Sequence, residues 1–215
     1  MINKIPISLK LKKKTEKEIA FAQDIIIEEL YNLIPDAILH GGTAIWRCYS
    51  GNRFSEDVDV YIKKDNEKIR IFFSSLEKRG FKAVKKRIKE NSLYSEFIFQ
   101  SINVRFEATF QSKKPTLKGY ETSEGNIINV FTLSPEDLIV EKINAYSKRL
   151  KIRDLYDIYF LLDYVEDKSK IKAGLEKFII NFKLPKDEKD LDSIIISGAV
   201  PKLEQLLNQI KIKTK

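Results

Sequence analysis

The chain has 215 residues, of which 43% are hydrophobic and 33% charged, with 13 Phe and 9 Tyr, so it has the apolar bulk for a packed core and too many aromatics for a disordered chain. A single cysteine, Cys48, excludes an internal disulfide and a cysteine-based zinc cluster. No apolar run reaches the about 18 residues of a membrane span, and Met1 to Lys14 lacks the apolar centre of a secretory signal, so a cytoplasmic chain with no membrane partner is expected. Thirty-nine Lys and Arg against 31 Asp and Glu leave a net charge of +8, a balance that favours polyanionic partners.

Part of that surplus is clustered, in Lys10, Lys12, Lys13 and Lys14 and again in Lys82, Lys85, Lys86, Arg87 and Lys89. Each cluster reads equally well as a solvated surface. Thr15 and Glu18 have the spacing of a capping box, and Ile19, Ala22, Ile26, Leu30 and Leu33 recur at helical spacing, which predicts a first helix over 15–33, ended by Pro35. Ala37 to His40 reads as a short strand, Gly41-Gly42 as a turn and Thr43 to Tyr49 as a helix. Asp57 to Ile62 is a predicted strand and Glu67 to Lys78 a helix closed by Gly80. Aromatic and β-branched content predicts strands near 81–88, 94–100, 102–110 and 127–131.

Ser134-Pro135-Glu136-Asp137 is a helix start, with Ser at the cap, Pro in the first turn and acids near the positive end of the dipole. From there apolar residues keep helical spacing through 138–150, 155–164, 171–182 and 203–210. The expected class is α+β: a mixed β-sheet flanked by helices, followed by a C-terminal helical bundle, with the composition shifting near residue 132.

On a strand, alternate side chains share a face, so Asp57 and Asp59 project together with Ser55 while Val58, Val60 and Ile62 enter the core. Two carboxylates side by side repel unless a cation or an arginine neutralises them, and magnesium takes oxygen ligands of this kind. His40-Gly41-Gly42-Thr43, between strand and helix, suits a phosphate seat, since glycine admits close approach and a helix N-terminus offers backbone N–H groups. A tight connection explains the same residues. In Ile102-Asn103-Val104-Arg105-Phe106-Glu107 the alternation buries Ile102, Val104 and Phe106 and sets Arg105 and Glu107 on the other face. If that strand neighbours the aspartates, Glu107 becomes a third carboxylate, able to ligand an ion or take a proton; otherwise it is an exposed glutamate paired with Arg105.

Lys142, Tyr146, Arg149 and Arg153 fall at i, i+4, i+7 and i+11, one polar and basic stripe if the helix is unbroken. Asp154 equally suits a helix cap after a break near Lys151. His40 reads as a structural residue, Trp46 and Tyr49 as core, and Cys48 as inert.

Gly41-Gly42-Thr43, then Asp57-Val58-Asp59, then an acid on a later strand resembles the polymerase β-type nucleotidyltransferase superfamily. The strings HGGTAIWRCY, RFSEDVDVYI and EKINAYSKRLKIRDLYDIYFLL resemble its AbiEii/AbiGii branch, which includes toxins of toxin–antitoxin pairs; the likeness runs over about 36–165. The resemblance implies a nucleotidyltransferase domain over 1–131 and a helical domain over 132–215 packing over the active-site cleft. It implies Asp57 and Asp59 as metal-binding acids, two Mg2+ ions with Mn2+ as an alternative, and Glu107 as a further catalytic carboxylate. It assigns Gly41, Gly42, Thr43, Ser55, Lys142, Lys151 and Asp154 to the nucleotide, and matches Arg153 and Asp157 to a Lys-x-Arg-Asp-x-x-Asp stretch. The implied reaction transfers an NMP from an NTP to an acceptor, tRNA first among them, in a growth-arresting toxin with a cognate antitoxin. Transfer to a protein or small-molecule hydroxyl, and a non-catalytic RNA-binding or regulatory module, are the alternatives.

Overall fold

A computed structural model describes residues 5–214. The chain forms two compact units, Met1–Ser50 with Phe54–Thr132, and Gly51–Arg53 with Leu133–Lys215.

The first unit opens with α1 (Ile7–Lys10) and α2 (Lys14–Leu33). The capping box is not formed: Lys13 occupies the cap position without a side-chain capping hydrogen bond, Thr15 is already inside the helix, and Glu18 instead meets Lys14 at 3.6 Å. Much of the first lysine cluster is likewise paired, Lys13 with Glu16 at 2.9 Å and Lys10 near Glu121 at 3.9 Å. There follow β1 (Ile38–His40), α3 (Gly41–Cys48), β2 (Asp57–Ile62), α4 (Asn66–Lys78), β3 (Phe81–Ile88), β4 (Ser92–Phe99), β5 (Ile102–Phe110), β6 (Thr116–Glu121) and β7 (Ile127–Thr132). Asp65 caps α4 by accepting from the N–H groups of Glu67 and Lys68.

Among the described residues these strands make one seven-stranded mixed sheet in the order β3-β4-β5-β2-β1-β7-β6. β2 runs parallel to β5 and β1 parallel to β7, while the other neighbours are antiparallel. Strict alternation in β2, β4 and β5 sends Val58, Val60, Leu93, Phe97, Val104 and Phe106 to one face, where α2 and α4 bring Ile26, Leu30, Phe72 and Phe73. Phe72 packs on Phe106 with ring centroids 5.0 Å apart, and Phe73 on Phe97 at 5.2 Å.

Strand β6 was not expected from the sequence; TLKGYE carries a glycine, a lysine and a glutamate where alternation would show an apolar face. It is recruited by long-range contacts. Arg47 of α3 is 1% exposed, lies 4.1 Å from the Trp46 ring centroid, and donates to the carbonyls of Glu121 in β6 and Ala20 in α2. One buried guanidinium thereby joins three elements through its two Nη donors.

The second unit holds α5 (Pro135–Arg149), α6 (Ile152–Leu161), α7 (Ser169–Ile180), a 3₁₀ turn (Glu188–Asp190), α8 (Leu191–Ile194) and α9 (Leu203–Thr214). Ser134 caps α5 as expected, accepting from the Asp137 N–H, with Pro135 in the first turn. Helix α5 ends at Leu150, whose φ of 53° is left-handed, so the basic stripe is not continuous to Arg153, and Lys142 and Tyr146 within it face inward. The turn at Glu188–Asp190 and helix α8 are further elements that periodicity did not show.

Candidate active site

The acidic pair sits at the centre of the sheet because β2 is an inner strand. Its register puts His40 opposite Asp59 on one side, and Arg105 opposite Asp57 and Glu107 opposite Asp59 on the other. Side chains of paired residues lie on the same face. Asp57, Asp59, Arg105 and Glu107 therefore share the face that α2 and α4 do not cover, and Glu107 is on the neighbouring strand, which meets the condition for a third carboxylate.

Gly41 explains why a glycine stands at the mouth of the turn. Its φ is +70°, and a Cβ there would collide with Asp59 Oδ2. The turn and the second aspartate are packed against each other. Thr43 is fully buried, and its hydroxyl donates to the Asp57 carbonyl, so that side chain ties the start of α3 to the start of β2. What the turn can offer an anion is its backbone N–H groups in the first turn of α3. Gly42 is buried, while Ser55 is half-buried on the approach to β2, its carbonyl held by Gln23 at 2.9 Å. His40 stacks on Tyr61 with centroids 4.0 Å apart.

Arg105 neutralises Asp57 directly. Its Nη2 donates to Oδ2 at 3.0 Å, and its Nε lies 2.6 Å from Oδ1 without the alignment of a hydrogen bond, so Oδ1 is buried with no donor. Burial pushes the Glu107 carboxyl above the usual carboxylate range, and the charges of Asp59 and then Asp57 push it further. A proton is thus held more tightly at Glu107 than at an isolated glutamate.

Among the described residues no set of three or more His, Cys, Asp and Glu side chains is gathered closely enough to hold a metal ion. The donors of the pair nevertheless suit one: carboxylate oxygens are hard ligands, and Asp57 Oδ1, though ion-paired with Arg105, is a buried acceptor that receives no hydrogen bond.

The remaining expected residues belong to the second unit and form a different kind of structure. Lys142 is buried, its Nζ 2.7 Å from Asp157 Oδ2 and 3.4 Å from Asp154 Oδ1. Arg53 donates to both oxygens of Asp157 at 2.5 and 2.6 Å. Arg149 donates to both oxygens of Asp154 at 2.7 Å, so Asp154 is a partner of two cations and not a helix cap. Burial alone would raise the Asp157 carboxyl; Arg53 and then Lys142 outweigh it and hold it below its ordinary value. Lys151 stands at the start of α6 with its Nζ 3.4 Å from Asp187, which itself accepts the Ile152 N–H at 2.7 Å. Arg153 is half-buried.

One residue escaped the sequence reading and another has a different partner from the one expected. Arg53 is a lone arginine in a loop, and nothing local shows that Asp157, 104 positions later, receives it. Arg105 was noticed, but as a partner for Glu107; parallel pairing delivers it to Asp57 instead. Cys48 is only partly exposed, and burial pushes its thiol up to about 12, which leaves little thiolate at neutral pH.

A seven-stranded mixed sheet with a glycine turn beside two aspartates on its central strand has the layout of a nucleotidyltransferase fold. The solved structures agree. JHP933 from Helicobacter pylori is similar with a TM-score of 0.66 and 18% identity, over 94% of this chain and 91% of that one. MenT4, a nucleotidyltransferase toxin from Mycobacterium tuberculosis H37Rv, is similar with a TM-score of 0.66 and 16% identity, over 96% of this chain and 85% of that one. Among curated proteins no match was found. A family model described as the nucleotidyl transferase AbiEii toxin of type IV toxin–antitoxin systems matches residues 28–205. The chain belongs to this family of nucleotidyltransferase toxins. Among the described residues no helix is long and apolar enough to cross a membrane.

Proposed function

We propose that the chain transfers a nucleoside monophosphate from an NTP to the 3′ hydroxyl of an RNA, with tRNA as the acceptor, in the presence of Mg2+. The observation that carries this reading is the register of Asp57, Asp59 and Glu107 on one face beside the Gly41 turn. Asp57 and Asp59 would hold the divalent ion, with Mn2+ an alternative, and when bound it would supply positive charge to the phosphate oxygens.

The chain's own residues account for the rest. Backbone N–H groups at Gly41-Gly42 donate to the phosphate oxygens of the nucleotide, and Gly41 keeps the turn close enough to the aspartates for both to act on one substrate. Arg105 limits the repulsion within the pair while the site is free of cation. The acceptor hydroxyl bonds to the α-phosphorus as the bond to the bridging oxygen breaks; pyrophosphate leaves, and the hydroxyl proton passes to Glu107, whose affinity for it is raised. Positioning and electrostatics carry the reaction, as phosphoryl chemistry demands.

A cognate antitoxin follows from the family. The charge of +8 and the polar sheet face favour RNA over a neutral acceptor. Pyrophosphate release from each NTP, followed with and without tRNA, tests the reading: release should depend on both Mg2+ and tRNA, and release that ignores tRNA contradicts the acceptor.

A further inference from the structure

We infer that the face of β5, β4 and β3 not covered by α2 and α4 is a track for the single-stranded 3′ end of an RNA, running from Lys82 and Arg87 to Asp59 and Glu107. This rests on the transfer reading above and places the acceptor on named residues.

The first observation is a β-bulge. Strand β3 pairs with β4 as Phe81 with Phe99, Lys82 with Ile98 and Ala83 with Phe97, and then the register slips at Val84, so that Lys85 meets Glu96, Lys86 meets Ser95 and Arg87 meets Tyr94. A one-residue slip exchanges the two faces of everything beyond it. Without the bulge, Lys85 and Arg87 would point with Phe81 toward α4; with it, they join Lys82 on the open face. Bulges that re-aim side chains concentrate beside functional sites. Lys86 shows the alternative fate: it faces the helix side, its Nζ 3.8 Å from the centroid of Phe73.

The second observation is where those cations then stand. Two rows cross the sheet in register, Asp59, Glu107, Tyr94 and Arg87 in one, and Asp57, Arg105, Glu96 and Lys85 in the other. The second row neutralises itself, with Arg105 on Asp57 and Lys85 Nζ 2.8 Å from Glu96 Oε2. In the first, exposed Arg87 meets no carboxylate among the described residues, and neither does exposed Lys82. The face is therefore polarised, cationic at its outer strand and anionic at its centre.

A polyanion ending in a neutral hydroxyl matches that polarity, its phosphates over β3 and its terminus at the carboxylates. Two strand spacings separate β3 from β5, about 10 Å, or about three nucleotides of a stacked strand. Tyr94 lies between them, half-buried, with its hydroxyl donated to Glu96, so it presents an aromatic surface of the sort unpaired bases stack upon. A lysine-rich edge strand also deters sheet-to-sheet aggregation, but that role needs no particular face.

The faces give the test. A fluorescent single-stranded RNA with a free 3′ hydroxyl is titrated with the 215-residue chain without NTP, and anisotropy is read over a range of salt. Arg87→Glu and Lys82→Glu should each weaken binding about tenfold and lower the salt slope by about one, whereas Lys86→Glu, the same charge change on the same strand, should alter binding by less than about twofold. Equal losses in all three variants, or none, overturn the track. Thermal melts confirm folding, and Arg87→Gln replaces any reversal that does not fold. Because no NTP is present, the two claims separate: face-specific binding without labelled RNA refutes the transfer and keeps the track, and labelled RNA with face-independent binding does the reverse.

Discussion

Arg105 and Asp57 face each other across the parallel β2–β5 pair, with Arg105 Nε 2.6 Å from Asp57 Oδ1. The guanidinium stands where a divalent cation would otherwise compensate the carboxylate, so the two positive charges compete. Replacing Arg105 with Gln should tighten Mn2+ binding several-fold, read by electron paramagnetic resonance. Stability should fall by less than about 1 kcal/mol, because the arginine side chain is 43% exposed and the pair is screened. Weaker Mn2+ binding in the variant would show that Arg105 assists the cation.

Glu107 makes stability depend on pH with a defined sign. Its carboxyl is raised by burial and by Asp59 and Asp57, so the folded chain binds this proton more tightly than the unfolded one. Stability is then lost as pH rises from the ordinary value of about 4.5 through the raised one. Glu107→Gln removes that loss: its melting temperature should exceed that of the parent at neutral pH and match it near pH 4. Mg2+ should narrow the gap at neutral pH by compensating the clustered charge.

Gly41→Ala combines a strained backbone at φ +70° with a collision against Asp59 Oδ2. The expected cost is about 1–3 kcal/mol in urea unfolding. Displacing Asp59 should also cost at least tenfold in NTP turnover at saturating Mg2+. A variant with wild-type turnover would detach the turn from the acidic pair.

In the second unit, Lys142→Met leaves Asp154 and Asp157 with one cation each in a buried setting. A loss of about 3 kcal/mol is expected, since removing one member of a buried ion network strands the others. NTP affinity, measured separately by calorimetry on folded variant, tests the assignment of Lys142 to the nucleotide; unchanged affinity would leave it a purely internal residue. Asp157→Asn should remove stability at neutral pH and leave little difference in strong acid, because the depressed carboxyl of the parent contributes above its ordinary value and loses that contribution as pH falls through the depressed one.

The sequence showed what depends on near neighbours. The alternation of Asp57 to Ile62 and of Ile102 to Phe110 gave both strands and the polar face of each, and the Gly41 turn announced itself between strand and helix. What it hid depends on distant partners. Strand β6 lacks an apolar face of its own and is held by pairing with β7. The bulge at Val84 leaves no mark in FKAVKKRI, since either phase of that segment places lysines outward. Arg53 and Asp157, or Lys142 and its two aspartates, look like ordinary surface charges until the fold buries them together. The Thr15 capping box failed for a related reason: α2 begins a residue earlier, so the motif was present without its geometry.

The measurement closest to the central claim is incubation of the chain with each α-labelled NTP, Mg2+ and total tRNA, resolved by electrophoresis. Label should enter RNA with the wild-type chain, disappear on chelation of the metal, and be absent with Asp57→Asn and Asp59→Asn variants that melt as folded proteins. Label in RNA that persists in both variants, or label confined to protein, would contradict the account.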